Sequence, residues 1–131
     1  MQSTLKNIGT RSAGLIMTSV CAALIAFLSI GYQNSFGISF GSDKLLHAIA
    51  YTCLVLPMAL TQPRSLLWFL PIAMVFGGII ELIQPYFGRS REGLDLVANA
   101  AGLGLGSIIG ASFHRLFWIG TGRKKPEKAR R

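Results

Sequence analysis

Four long apolar stretches, at 14–32, 44–60, 65–84 and 94–119, leave this chain little choice of fold. Each is close to the roughly 20 residues that carry a helix across a hydrocarbon core. A membrane strand needs only about half that length and alternates apolar with polar residues, a pattern absent here. No water inside a bilayer can satisfy an open amide, so segments of this kind close their own hydrogen bonds as helices. The expected fold is therefore all-α, a four-transmembrane-helix bundle over 13–119. A short cytoplasmic segment at 1–12 precedes it, and a basic, disordered cytoplasmic tail at 120–131 follows. The chain is 51% hydrophobic and 14% charged, a membrane balance rather than a soluble one.

The charge is placed as unevenly as the hydrophobicity. Lys6 and Arg11 precede the first span, Arg64 separates the second from the third, and Arg115 begins a basic tail with Arg123, Lys124, Lys125, Lys128, Arg130 and Arg131. The two loops on the other side hold only Lys44, Arg89 and Arg91. By the positive-inside rule both termini are cytoplasmic, and an even number of spans agrees. A net charge of +8 invites a nucleic-acid reading. The tail has no interleaved aromatics and a membrane beside it, so topology and attraction to anionic lipid account for it, and no nucleic acid is expected. Basic residues ahead of an apolar core also resemble a signal peptide. No small-x-small cleavage site follows in 28–36, so the first span reads as an uncleaved, lipid-facing anchor. Cys21 and Cys53 fall near mid-membrane without metal-ligand spacing and read as packing residues.

The polar residues inside these spans share one end of the bundle. Asp43, His47 and Tyr51 follow each other at four-residue intervals in the second span. Glu81 and Gln84 lie on one face at the end of the third, and Asp95 and Asn99 on one face at the start of the fourth. Such spacings stack side chains along one side of a helix. The loop between the last two spans adds Arg89 and Arg91 to the same end. Ionisable groups at membrane depth are costly and mark function more often than chance. Arg89, Arg91, Gln84, Asp95 and Asn99 are read as ligand-binding residues for a lipid headgroup or glycan. His47, Asp43 and Glu81 are the candidates for acid–base work. A purely structural lock between helices is a third reading. A metal site of His47, Glu81 and Asp95 is conceivable, but that ligand set is generic, and no metal or cofactor is expected.

The fourth span also carries Ala98, Gly102, Gly106 and Gly110 in one stripe, which lets another backbone approach closely. Ser42 or Asp43 suits the N-cap of the second helix. Pro57 and Pro71 fall inside or near the ends of the second and third, and Pro85 stops the third.

The ordered set Asp43-Lys44-x-x-His47-x-x-x-Tyr51, Glu81-x-x-Gln84, Gly88-Arg89 and Asp95-x-x-x-Asn99-x-x-Gly102 resembles the VanZ-like family of small bacterial membrane proteins. The likeness covers Asp43 to about Gly110. The chain departs from the family pattern at Glu92, where a small hydroxyl residue is common, and at Ala48, where an aromatic is common. The resemblance implies an integral protein of the bacterial inner membrane and cell envelope. It also implies an accessory role in sensitivity to the glycopeptide teicoplanin. The expected partners are membrane lipids and a lipid-linked envelope precursor, and the residues leave the oligomeric state open.

Overall fold

The computed structural model describes residues 2–31, 43–88 and 93–120. Among them it contains four long helices and no strand: α1 (Gln2–Gly31), α2 (Asp43–Thr61), α3 (Leu66–Ile83) and α4 (Gly93–Gly120). All four carry a stretch long and apolar enough to cross a membrane, so the all-α, four-span expectation holds. The helix bounds differ from the apolar bounds chiefly at the start, where α1 begins at Gln2 rather than near residue 13. Hydropathy marks the oily part of a helix, and nothing polar in 2–13 obliges the backbone to stop. Of the basic tail expected at 120–131, Gly120 is the last residue of α4 and the rest lies outside the described residues, as do Ser42 and the loop residues Arg89, Ser90, Arg91 and Glu92.

The short connection from α2 to α3 is a 3-10 turn at Pro63–Ser65. Pro63 suits its first position because a proline lacks only an amide that would be unsatisfied there anyway. α3 passes into a second 3-10 turn, Gln84–Phe87, whose closing residue Gly88 takes a left-handed φ of 79°. Glycine adopts that conformation without a Cβ penalty, so Pro85 and Gly88 together end α3. Pro57 and Pro71 both sit within helices, and each removes one amide from its ladder. One turn on from the first of them, the Thr61 hydroxyl donates to the Pro57 carbonyl at 2.7 Å.

The bundle is organised around α2 and α4, whose packing against each other is far more extensive than any other pair. The small-residue stripe explains it. A Cβ placed on Gly102 would collide with the Ala48 carbonyl, one on Gly106 would stand 2.5 Å from Val55 and 2.7 Å from the Thr52 carbonyl, and one on Gly110 would collide with Ala59. The two backbones are thus in contact along three helical turns, the approach that small residues permit in membranes. Thr52 ties them further, its hydroxyl within 2.8 Å of the Ala48 carbonyl and 3.0 Å of the Gly102 carbonyl. Tyr51, Leu54, Val55, Ala73 and Leu103 form the buried apolar core beside this seam.

α1 packs mainly on α2, with Gly14 seated directly on Thr61. Leu15, Ile16, Met17, Val20, Leu24, Phe27 and Leu28 face outward, which suits a lipid-facing member. Cys21 is half-buried, Cys53 is exposed, and both are free thiols.

Candidate functional site

The helix ends that face away from the Pro63–Ser65 turn converge on a polar cluster. α2 enters it at His47, one turn after its start. α3 reaches it at Glu81, just before Ile83 closes the helix, and α4 begins there with Asp95 in its first turn and Asn99 a turn deeper. His47, Glu81, Gln84, Asp95 and Asn99 are all buried, with Gln84, Asp95 and Asn99 no more than 2% exposed. The reason lies in the spacings. Pairs three or four apart put both members on the inward face of their helix, and the glycine seam holds two of the three helices at contact distance.

The geometry centres on the imidazole. His47 Nδ1 lies 3.0 Å from Asn99 Oδ1. An amide oxygen only accepts, so Nδ1 carries the proton and donates. In the neutral form of the ring, that leaves Nε2 as the nitrogen with the free lone pair. Nε2 faces Asp95 Oδ2 at 3.9 Å, while Nδ1 stands 3.8 Å from Glu81 Oε1. Both carboxylate distances exceed hydrogen-bonding range. One ligand atom from each of His47, Glu81 and Asp95 lies within 4.8 Å of the others.

A fourth group sits beneath the ring. Tyr51, one turn below His47, is 1% exposed, and among the described residues its hydroxyl has no hydrogen-bond partner. A methyl group on Gly77 would stand 2.7 Å from that hydroxyl and 2.9 Å from the Asn99 amide nitrogen. Tyr51 and Asn99 therefore converge on the space that Gly77 leaves open. Gln84 Nε2 is likewise buried without a partner among the described residues.

Most of the expected site residues are brought together: His47, Glu81, Gln84, Asp95 and Asn99 all contribute. Asp43 opens α2, and its side chain lies outside the described part. Arg89 and Arg91 are outside the described residues altogether. Tyr51 and Gly77 also belong to the site; the sequence groups Tyr51 with His47 without giving it a binding or catalytic role, and it does not single out Gly77 for the site. The four-residue spacing places Tyr51 on the His47 face, whereas nothing in the sequence says which helix Gly77 faces.

Beside the cluster, α3 and α4 flank a groove of about 330 Å³ lined by Val75, Gly78, Ile79, Glu81, Leu82, Gly93 and Leu96. Its wall is apolar except at Glu81. Val75, Ile79 and Leu82 are each at least half exposed, so the groove opens on the outside of the bundle.

The opposite end is built differently. His114 Nδ1 meets the Leu60 carbonyl at 2.6 Å, and Gln62 Nε2 donates to the Arg11 carbonyl at 3.2 Å. Arg11, Arg64 and Arg115 are all exposed, on elements that meet at this end. The acidic and basic groups of the described spans are thus largely segregated to opposite ends.

Comparison with known proteins returns no match: no family profile fits the chain, and no curated protein or solved structure is similar to it. The class that fold and site define is a multi-pass helical membrane protein with a buried polar cluster at one end.

Proposed function

We propose that this chain is a VanZ-like protein of the bacterial inner membrane that binds an envelope lipid or lipid-linked glycan. The polar head occupies the cluster around His47, and the hydrocarbon chain lies along α3 and α4. The observation that carries this reading is the groove, an apolar channel on the outside of the bundle whose inner wall ends on buried Glu81. An amphipathic molecule fits such a place, because its chain stays in lipid while its head exchanges water for fixed polar groups. Segregation of Arg11, Arg64 and Arg115 to the far end supports cytoplasmic termini and a cluster facing outward. Arg89 and Arg91, in the loop after α3, would add phosphate-binding charge. The ordered motif set supports the VanZ-like assignment, and with it an accessory role in teicoplanin sensitivity.

The test is lipid mass spectrometry of detergent-purified protein. A Cβ placed on Gly78 would meet nothing within 4 Å, so Gly78→Leu fills the groove without disturbing the bundle. We expect it and Glu81→Gln to lose most of a lipid species that the unaltered protein retains. An unchanged lipid profile in both variants would sink the reading.

The fixed Nδ1–H donation to Asn99 supports a second reading, a membrane-embedded enzyme with His47 Nε2 as general base. It expects His47→Gln to keep the bound lipid yet block its turnover.

A further inference from the structure

The geometry points to a divalent metal site formed by His47, Glu81 and Asp95, with Asn99 as the residue that orients the imidazole. Four observations carry it, and none depends on the lipid reading.

The first is tautomer. Nδ1 donates to Asn99 Oδ1 at 3.0 Å, so the lone pair of a neutral ring is on Nε2. Metal-binding histidines are commonly held this way, their other ring nitrogen donating to a fixed acceptor. The second is what Nε2 faces. Nε2 stands 3.9 Å from Asp95 Oδ2, beyond a direct hydrogen bond and close enough for both atoms to share one ion. A metal ion would hold neighbouring donor atoms about 3.0–3.5 Å apart, given bonds of about 2.0–2.2 Å. One ligand atom from each of the three residues lies within 4.8 Å of the others, with Glu81 Oε1 nearest Nδ1 at 3.8 Å and Asp95 Oδ2 nearest Nε2. Side-chain rotations of about 1–2 Å would therefore bring both carboxylates onto an ion at Nε2.

The third is composition. One imidazole and two carboxylates suit a first-row divalent ion such as zinc or manganese. No thiolate shares the site, since Cys21 and Cys53 are both free elsewhere. The fourth is the Tyr51 hydroxyl, buried and without a partner among the described residues, converging with Asn99 just below the ring. A water on an open coordination position would give that hydroxyl an acceptor. Three protein ligands with an open position is the arrangement of reactive rather than closed structural sites.

Zinc is the probe. Untagged full-length protein, stripped with chelator in detergent and re-equilibrated with Zn²⁺, should retain about one equivalent by elemental analysis, as a three-ligand site predicts. His47→Ala, Glu81→Gln and Asp95→Asn should abolish retention, and Asn99→Leu should weaken it about 10- to 100-fold. His114→Ala, at the opposite end, should retain zinc fully. Because a site variant can fail to accumulate, Co²⁺ is added to the unaltered protein as well. Visible d–d bands of an N/O-ligated ion are expected, and Zn²⁺ should displace them. Absence of both zinc retention and a cobalt spectrum would overturn the site, as would undiminished zinc in folded Glu81→Gln and Asp95→Asn.

Discussion

Each buried polar side chain in the cluster does a different job, and substitution should separate them. Asn99 accepts a hydrogen bond from His47 inside the bundle, at 1% exposure. Asn99→Leu removes that acceptor and strands a buried donor, which costs about 1–3 kcal/mol. Its thermal midpoint in detergent should fall accordingly. Tyr51→Phe removes a hydroxyl with no partner among the described residues, so stability should change by less than about 1 kcal/mol. A large loss of stability in Tyr51→Phe would show that the hydroxyl has a structural partner. The identities and depth of these residues are legible in the sequence because four-residue spacing on a known helix leaves little freedom. The distances between them are not, since they depend on how three helices lean together.

At the level of elements, the α2–α4 seam sets the position of the site. Gly106 faces the Thr52 carbonyl and the Val55 side chain at 2.7 and 2.5 Å from where its Cβ would be. Gly106→Val has no room there and must push the helices apart, an overpacking cost of about 1–3 kcal/mol or more. Gly104, on the open side of the same helix with nothing within 4 Å, is the control. Gly104→Val should leave the thermal midpoint nearly unchanged, and equal losses in the two variants would show that helix propensity rather than contact governs. The stripe at Ala98, Gly102, Gly106 and Gly110 announces a flat face in the sequence, but a flat face does not name its neighbour. Only the fold shows that α2 covers it. The groove is equally invisible, because Val75, Ile79 and Leu96 come from two helices and look like ordinary lipid-facing residues one at a time.

For the whole molecule, the placement of charge sets the orientation. The four spans and the far-end arginines predict that the cluster faces away from the cytoplasm. Gly93 begins α4 at the cluster end and has space for a side chain. A Gly93→Cys variant with Cys21 and Cys53 replaced should therefore react with a membrane-impermeant maleimide in intact cells. Labelling only after the cells are opened would invert the topology and place the cluster inside. The bundle's four-helix character is readable from the apolar stretches alone, because each is long and apolar enough to span. The start of α1 at Gln2 is not, because a helix continues through polar residues as readily as through apolar ones.

The glycine seam also bears on biogenesis. α2 carries His47 and Thr52 toward a helix that is synthesised after it, with α3 intervening. During translation α2 must wait in or beside the insertion machinery with its hydrophilic flank uncovered until α4 emerges. A nascent chain stalled before residue 93 is consequently a natural target for quality-control proteases.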